Sequence, residues 1–518
     1  MSRASILRTL LPGFDGPMLP DWVASLLGEG LAGVCLFGEN IVSPAQLREL
    51  TDAIRAANPD ALIAIDEEGG DVTRLFYDRG APYPGNAVLG RLDDVAATTA
   101  VAEAVGSALA EVGVNLDFAP DVDINSNPLN PVIGVRSFGD APELVARHSA
   151  AWVQGLQSRG VAASVKHFPG HGDTAQDSHL ALPRVEVSPA ELRERELVPF
   201  AAAVEAGALT VMTSHILLPQ LDPSGPATFS APLLQGVLRD ELGFDGVVVS
   251  DALDMAGASG TIGIPAAAVR ALGAGCDLLC IGTKNTAEQL EQIVSAVSEA
   301  LAAGELPEAR VEDAAWRVRE LGSRVRVPPV PNPLEDAGPG GTGWSEGARS
   351  APDSDGFGLG CGLSATQAAA AFRVEEGVAD AAAAASGPWV VVRVDAEANA
   401  AVGAVPWGPF APGPAQRAGW RELTVVAVTE TPDAQSRAEL HGRIPEEACV
   451  LLVGRDNARR PWVVELVDAL RERHATVVTV DMGWPGAPSG YGQVATFGAS
   501  ALIGEAVLDA LAAWEVFS

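Results

Sequence analysis

Positive charge is scarce in this chain. Of its 518 residues, 34 are Lys or Arg and 67 are Asp or Glu, a formal net charge of −33. Nucleic acids and anionic membrane surfaces are held by a positive field, so neither is expected as a partner. Lysine itself is almost missing: Lys166 and Lys284 are the only two. Where the rest of the chain uses arginine, a lysine kept at 166 points to a place that needs a compact ammonium rather than a planar guanidinium. No apolar run reaches the ~18 residues of a membrane-spanning helix, so no membrane partner is expected. Met1 to Gly13 lacks the long apolar stretch and small-residue cleavage site of a secretory signal, and a cytoplasmic location is the expectation. Cysteines are few and odd in number: Cys35, Cys276, Cys280, Cys361 and Cys449. Most sit in apolar runs, which argues for reduced, buried thiols and against a disulfide framework. The segment CDLLCIG reads as a buried strand, with Cys276 and Cys280 as core residues rather than metal ligands.

What is present is globular: 47% hydrophobic and 19% charged residues over a length that suits two domains. From residue 1 to 327 short apolar runs alternate with longer amphipathic ones. The runs are ILRTLLPG, LAGVCLF, ALIAIDEE, VNLDFAP, ASVKHFP, LTVMTSHI, GVVVSDA and CDLLCIG. Each has the length and β-branched character of a strand buried on both faces. Two of the intervening helices open on Ser-Pro with a capping partner three residues on, Ser43 with Gln46 and Ser188 with Glu191. The alternation predicts an N-terminal (β/α)8 barrel; an open doubly wound sheet is disfavoured because no Gly-rich phosphate loop follows the first strand. Residues 328–357, rich in Pro, Gly, Ser and acid, read as a linker. Residues 358–518 carry a second pattern, PWVVVRV, LTVVAV, ACVLLVG and ATVVTV with a closing helix from about Ser500 to Trp514. That predicts a smaller three-layer α/β/α domain with no catalytic constellation of its own. Trp152 and Trp316 fall in helical stretches and are expected in the core.

In a parallel barrel, functional groups gather at the C-terminal ends of the strands. Those ends carry Asp66, Glu67 and Glu68 after strand three, Lys166 and His167 in strand five, His215 after strand six and Asp251 after strand seven. Titratable groups at buried strand ends must be paired or desolvated at a cost of several kcal/mol, so their clustering marks an enzyme. Glu67 and Glu68 are expected to bond loop backbone, and His215 is read either as a satisfied core residue or as a substrate contact. The segment Lys166–His179, KHFPGHGDTAQDSH, holds three of the seven histidines. His171, Asp173, Asp177 and His179 there could ligate a metal. Alternatively, Asp177 orients His179 as a general acid/base. The spacing leaves both open.

Four segments in order, IDEEGGDVTRL (Ile65–Leu75), PVIGVRSFG (Pro131–Gly139), KHFPGHGDTAQDSH and VVVSDALDM (Val247–Met255), together resemble the motifs of glycoside hydrolase family 3. The resemblance is to its bacterial β-N-acetylglucosaminidase branch, and extends more weakly to ATFGAS in the C-terminal part. It implies a retaining exo-glycosidase acting on a carbohydrate, with no cofactor and no metal. Asp251 then matches the nucleophile, and His179 the acid/base, with Asp177 as its partner. Asp66, Arg74, Arg136, Lys166 and His167 match residues that hold the non-reducing sugar, while His171 and Asp173 shape the loop carrying His179, whose Gly170 and Gly172 suggest mobility. The element after strand three is Asp-Glu-Glu, where the family commonly has Asp-Gln-Glu.

Three rival readings follow from the same residues. A phosphorylase would use the same site with phosphate as acceptor. A β-glucosidase of the family would take its acid from the C-terminal domain, which the intact Asp177-Ser178-His179 element argues against. A non-catalytic sugar-binding protein would have no need for Asp251, His179 and Asp177 together.

Overall fold

Apolar runs with no polar face become strands only where both faces can be buried, and that condition decides the N-terminal architecture. The computed structural model describes residues 2–176, 182–325, 362–395, 401–417, 419–428, 440, 442–514 and 516. The expected linker 328–357 lies outside these, as do Asp177, His179, Cys361 and His441. Eight strands form one sheet: β1 (Leu10–Pro12), β2 (Gly33–Cys35), β3 (Leu62–Ile65), β4 (Leu116–Asp117), β5 (Ala162–Phe168), β6 (Thr210–Thr213), β7 (Val247–Ser250) and β8 (Leu278–Gly282). They follow one another in sequence order from β2 to β8, with β1 against β8, and each ladder is parallel. Every residue of every one of these strands is buried. The result is the expected (β/α)8 barrel, closed below by Val318 and Leu321 of the helix Glu308–Arg324 and by Val325 just beyond it.

The local signals resolve unevenly. In the first run, ILRTLLPG, Ile6 and Leu7 are helical rather than extended. The Ser2 hydroxyl accepts from the Ser5 amide and starts the helix Arg3–Leu7, so only Leu10–Pro12 enters the barrel. Ser188 and Glu191 form the full capping box, Glu191 N–H to Ser188 Oγ at 3.2 Å and Ser188 N–H to Glu191 Oε2 at 2.9 Å. Ser43 caps Gln46 in the same way at 3.1 Å, but the Gln46 carboxamide oxygen accepts from Val42, one residue before the cap. Trp152 is fully buried as expected. Trp316 is not: it is 51% exposed, because its helix turns Val311, Ala315 and Val318 inward instead.

The second sheet contains β9 (Arg373–Val374), β10 (Trp389–Val394), β11 (Thr424–Val428), β12 (Cys449–Gly454), β13 (Val477–Asp481) and β14 (Val494–Ala495), in the order β11-β10-β12-β13-β14-β9. Only the β14–β9 pair is antiparallel among its described ladders. Strand alternation sends Val391, Leu451 and Val480 to one face, under the helix Ala501–Ala513. It sends Val390, Val392 and Leu452 to the other, under the helix Pro461–Arg473. This is the three-layer α/β/α domain, extended by two short strands that the sequence reading did not include.

The two units are packed together. Val88 of the barrel lies in the apolar cluster of the second domain, and the Ala499 N–H of the ATFGAS segment donates to Asp71 of the barrel at 2.7 Å. Arg459 reaches back to the Asn130 carbonyl at 3.2 Å. Among the described residues no helix is long and apolar enough to cross a membrane.

Candidate active site

A barrel interior is filled in layers to which alternate strands contribute, and the uppermost layer becomes the floor of whatever opens above it. Here the even-numbered strands bring Cys35, Phe118, Met212 and Cys280 to that level, all packed in the barrel interior and all lining one cavity of about 300 Å³. The odd-numbered strands end in polar groups instead: Asp66 beyond β3, Lys166 within β5 and Asp251 beyond β7 all line the same cavity. Arg74, Arg136, His167 and His171 complete its polar wall.

The charges form a chain. Lys166 Nζ lies 2.7 Å from Asp66 Oδ1 and 2.6 Å from Glu68 Oε1. Glu68 takes Arg136 with both oxygens, Nε at 2.9 Å and Nη2 at 2.8 Å. Arg136 Nη2 also approaches Asp121 Oδ2 at 3.5 Å. Burial alone would raise the Glu68 carboxyl, but the charges of Arg136 and Lys166 outweigh it and hold the group well below the usual carboxylate range. Burial would likewise discharge Lys166, and the fields of Asp66 and Glu68 reverse it, keeping the ammonium charged. Arg74 stands 4.0 Å from Asp66 and donates to the Ala401 carbonyl at 2.8 Å. Ala401 itself lines the cavity, so the second domain supplies part of the wall.

A second set of bonds organises β5 and the loop beyond it. Asp123 Oδ2 pairs with His167 Nδ1 at 2.7 Å, and Asp123 Oδ1 accepts from the His171 amide at 2.6 Å. Burial opposes ionisation of Asp123, yet the His167 charge and hydrogen bond bring its pKa below the ordinary value. His171 is driven the other way, chiefly by burial, to about 4, and is neutral near pH 7. Gly172 belongs to this packing: a Cβ there would fall on the Ile124 carbonyl, so the close approach requires glycine. Asp173 turns away to Arg195 at 2.7 Å.

Asp251 is held by its own turn. Its Oδ1 accepts from the Ala252 amide at 2.8 Å, and its N–H donates to Thr213 Oγ1 at 3.4 Å. His215 Nε2 donates to the Ala252 carbonyl at 3.0 Å while Nδ1 meets Thr228 Oγ1 at 2.8 Å. Ala252 is thereby fixed from both sides.

These features coincide with a known domain. Residues 6–321 match the family model described as the glycosyl hydrolase family 3 N terminal domain. The chain belongs to glycoside hydrolase family 3. It is 37% identical over 334 residues to Beta-hexosaminidase A of Pseudoalteromonas piscicida, a match covering 59% of this chain and 56% of that protein. The chain thus spans little more than half the length of that relative. Beta-hexosaminidase of Stenotrophomonas maltophilia (strain K279a) is 41% identical over 268 residues, which is 50% of this chain and 78% of the relative. Among solved structures, a glycoside hydrolase family 3 β-N-acetylglucosaminidase from Paenibacillus sp. str. FPU-7 superimposes with a TM-score of 0.82 at 30% identity. That likeness covers 99% of this chain and 97% of the other, both domains included.

Within the family 3 barrel, the structure brings Asp66, Arg74, Arg136, Lys166, His167 and Asp251 to one cavity and leaves His215 off its lining. Glu67 bonds loop backbone as expected, its Oε2 accepting from the Arg74 and Leu75 amides. Glu68 departs from that expectation: its carboxylate faces the cavity between Lys166 and Arg136 because two buried cations need a common counter-charge. Asp121 and Asp123 were missed, although the strand-end rule applied to β4 would have found them in DVD. With His167 they bring oxygen and nitrogen donors within 4.8 Å of one another, the described cluster suited to a cation. Arg136 already places positive charge against it. Of the alternative metal set His171, Asp173, Asp177 and His179, the last two lie outside the described residues; Asp173 is paired with Arg195 at 2.7 Å and His171 Nδ1 meets the Thr174 hydroxyl at 3.0 Å.

Proposed function

We propose that the protein is a retaining exo-β-N-acetylglucosaminidase that removes terminal, non-reducing N-acetylglucosamine by double displacement. The observation that carries this reading is the position of Asp251: a carboxylate at the end of β7, tethered by Ala252, in the same cavity as the Asp66–Lys166–Glu68–Arg136 network. Asp251 attacks the anomeric carbon and forms a glycosyl ester, which water then opens with retention. Asp66, Lys166, Arg74, Arg136 and His167 hold the hydroxyls and ring of the departing sugar. His179, oriented by Asp177, gives the leaving oxygen its proton and later activates the water.

An imidazole in that role suits the electrostatics. Asp66 and Glu68 are committed to Lys166, and Asp254 accepts from the Thr283 amide at 3.0 Å. A neutral acid therefore adds no further negative charge beside the nucleophile. Peptidoglycan fragments carrying N-acetylglucosamine on N-acetylmuramic acid, met in the cytoplasm, are the natural substrates in this proposal. The relatives' names, hexosaminidases and a β-N-acetylglucosaminidase, support the donor sugar.

The test compares 4-nitrophenyl N-acetyl-β-glucosaminide with the corresponding glucoside, each with and without phosphate. Faster release from the N-acetylglucosaminide, by more than about tenfold and indifferent to phosphate, is expected. Preference for the glucoside would overturn the donor, and sugar 1-phosphate as the main product would overturn hydrolysis.

A further inference from the structure

A second cleft opens between the two domains, apart from the cavity at Asp251. It encloses about 480 Å³, and among the described residues none lines both. The barrel contributes Arg91, in the last turn of the helix Asn86–Leu92, with Phe138 and Asp140 from the connection beyond β4. The other domain contributes Arg373 of β9, Trp484 beyond β13 and Phe497 beyond β14. Phe138 and Phe497 are its buried apolar part. Both arginines gather on one ring: Arg91 Cζ lies 4.0 Å and Arg373 Cζ 5.8 Å from the Phe497 centroid. Trp484 meets the same ring edge to face at 5.8 Å. Phe497 has a φ of 57°, a left-handed conformation that bulky residues rarely adopt and that recurs at ligand sites.

Each arginine is fixed by one bond and keeps donors to spare. Arg91 Nε donates to the Ala371 carbonyl and Arg373 Nη1 to the Gly486 carbonyl, both at 2.6 Å. Among the described residues neither guanidinium is paired with a carboxylate, and Arg91 Nη1 and Nη2 and Arg373 Nη2 make no hydrogen bond. Burial and the charge of Arg373 lower the Arg91 pKa, as expected of like charges held together. In a chain with 67 acids and 34 bases, two neighbouring arginines without an acidic partner depart from the pattern.

Free guanidinium forks bind oxyanions, because their paired N–H groups match carboxylate and phosphate oxygens. A bare anion would be repelled by Asp140, whereas hydroxyls on a ligand can donate to that carboxylate. The Trp484 indole is a flat apolar wall with one polar N–H, which suits the face of a sugar ring. We propose that this cleft is a second saccharide site, for a sugar that carries a phosphate or a carboxylate. The arginines hold the oxyanion, Asp140 the hydroxyls and Trp484 the ring. The volume lies in the range of small-molecule sites. No bond is made or broken there. The site does not depend on which sugar is the donor at Asp251.

Calorimetry on the full chain compares glucose 6-phosphate, glucuronate, glucose and inorganic phosphate. One-to-one binding of an anionic sugar is expected, with glucose and inorganic phosphate each weaker by about tenfold or more. The tighter of glucose 6-phosphate and glucuronate identifies the anion as phosphate or carboxylate. Arg91→Gln, Arg373→Gln and Trp484→Leu should each weaken that binding by about tenfold or more. Their kcat/KM for 4-nitrophenyl N-acetyl-β-glucosaminide should stay within about twofold of the parent. No binding of either anionic sugar at about 10 mM would overturn the proposal. So would glucose or inorganic phosphate binding as tightly as the anionic sugars, or an affinity unchanged in the double arginine variant. Should the variants not fold, hydrogen exchange of the wild type decides. Protection by the bound sugar at 371–374 and 484–487 supports the site, and protection confined to the strand ends around Asp251 overturns it.

Discussion

Lys166 reaches Asp66 across the mouth of the barrel, Nζ to Oδ1 at 2.7 Å, joining the ends of β5 and β3 through a side chain only 2% exposed. The same ammonium closes on Glu68 at 2.6 Å, so one cation bridges two carboxylates from a neighbouring loop, the second of which it shares with Arg136. Removing it leaves buried negative charge without its partner, which costs on the order of 3–5 kcal/mol. Lys166→Met is therefore expected to unfold at markedly lower denaturant and to lose most kcat/KM. Lys166→Arg should fold better yet remain impaired, because a planar fork cannot replace a point charge between two oxygens. Denaturant midpoints alongside kcat/KM check both; a Lys166→Met protein as stable as the parent would show that Asp66 and Glu68 do not need the ammonium.

His215 acts on Asp251 through Ala252. The imidazole holds the Ala252 carbonyl at 3.0 Å while the Ala252 amide holds the carboxylate at 2.8 Å. His215→Ala removes one of the two donors to that part-buried carbonyl, which keeps the Met255 amide at 3.1 Å, and costs about 0.5–1.5 kcal/mol of stability. If the contact positions the nucleophile, kcat should fall about tenfold while KM stays near that of the parent. A rise in KM at constant kcat would instead make His215 a substrate contact.

Glu67 predicts a pH dependence. Burial raises its carboxyl from an ordinary 4.5 to about 7, against the hydrogen bonds from Leu75, Thr73 and Arg74. The unfolded residue ionises first, so unfolding releases a proton between these values. Stability from this group is fully present below pH 4.5, falls as pH rises through about 7, and is level above it. The difference in unfolding free energy between the parent and Glu67→Gln should therefore drift against the parent across that window. A difference independent of pH would show that Glu67 is ionised throughout.

The barrel was legible because its strands are short β-branched runs with both faces buried, and that pattern survives in a single sequence. Two-residue strands such as β9 and β14 show no period, and the helical start of ILRTLLPG depended on a serine cap that hydrophobicity does not register. Trp316 was misplaced because helical residence does not say which face is inward. At the site, strand ends named Asp66, Lys166, His167 and Asp251. They did not name Asp123, which lies 44 residues from the His167 ring it holds. Ala401 was out of reach of any local signal, since it meets Arg74 across 327 residues. Asp177 and His179 rest on the family motif alone, as they lie outside the described residues.

The role of Asp251 is tested most directly by the hydrolysis of 4-nitrophenyl N-acetyl-β-glucosaminide by the wild type and by Asp251→Ala, with thermal melting to show that the variant is folded. Release by the wild type and a loss of about 10³-fold or more in a folded variant is the predicted result. A folded Asp251→Ala protein retaining activity within about tenfold of the wild type would contradict it.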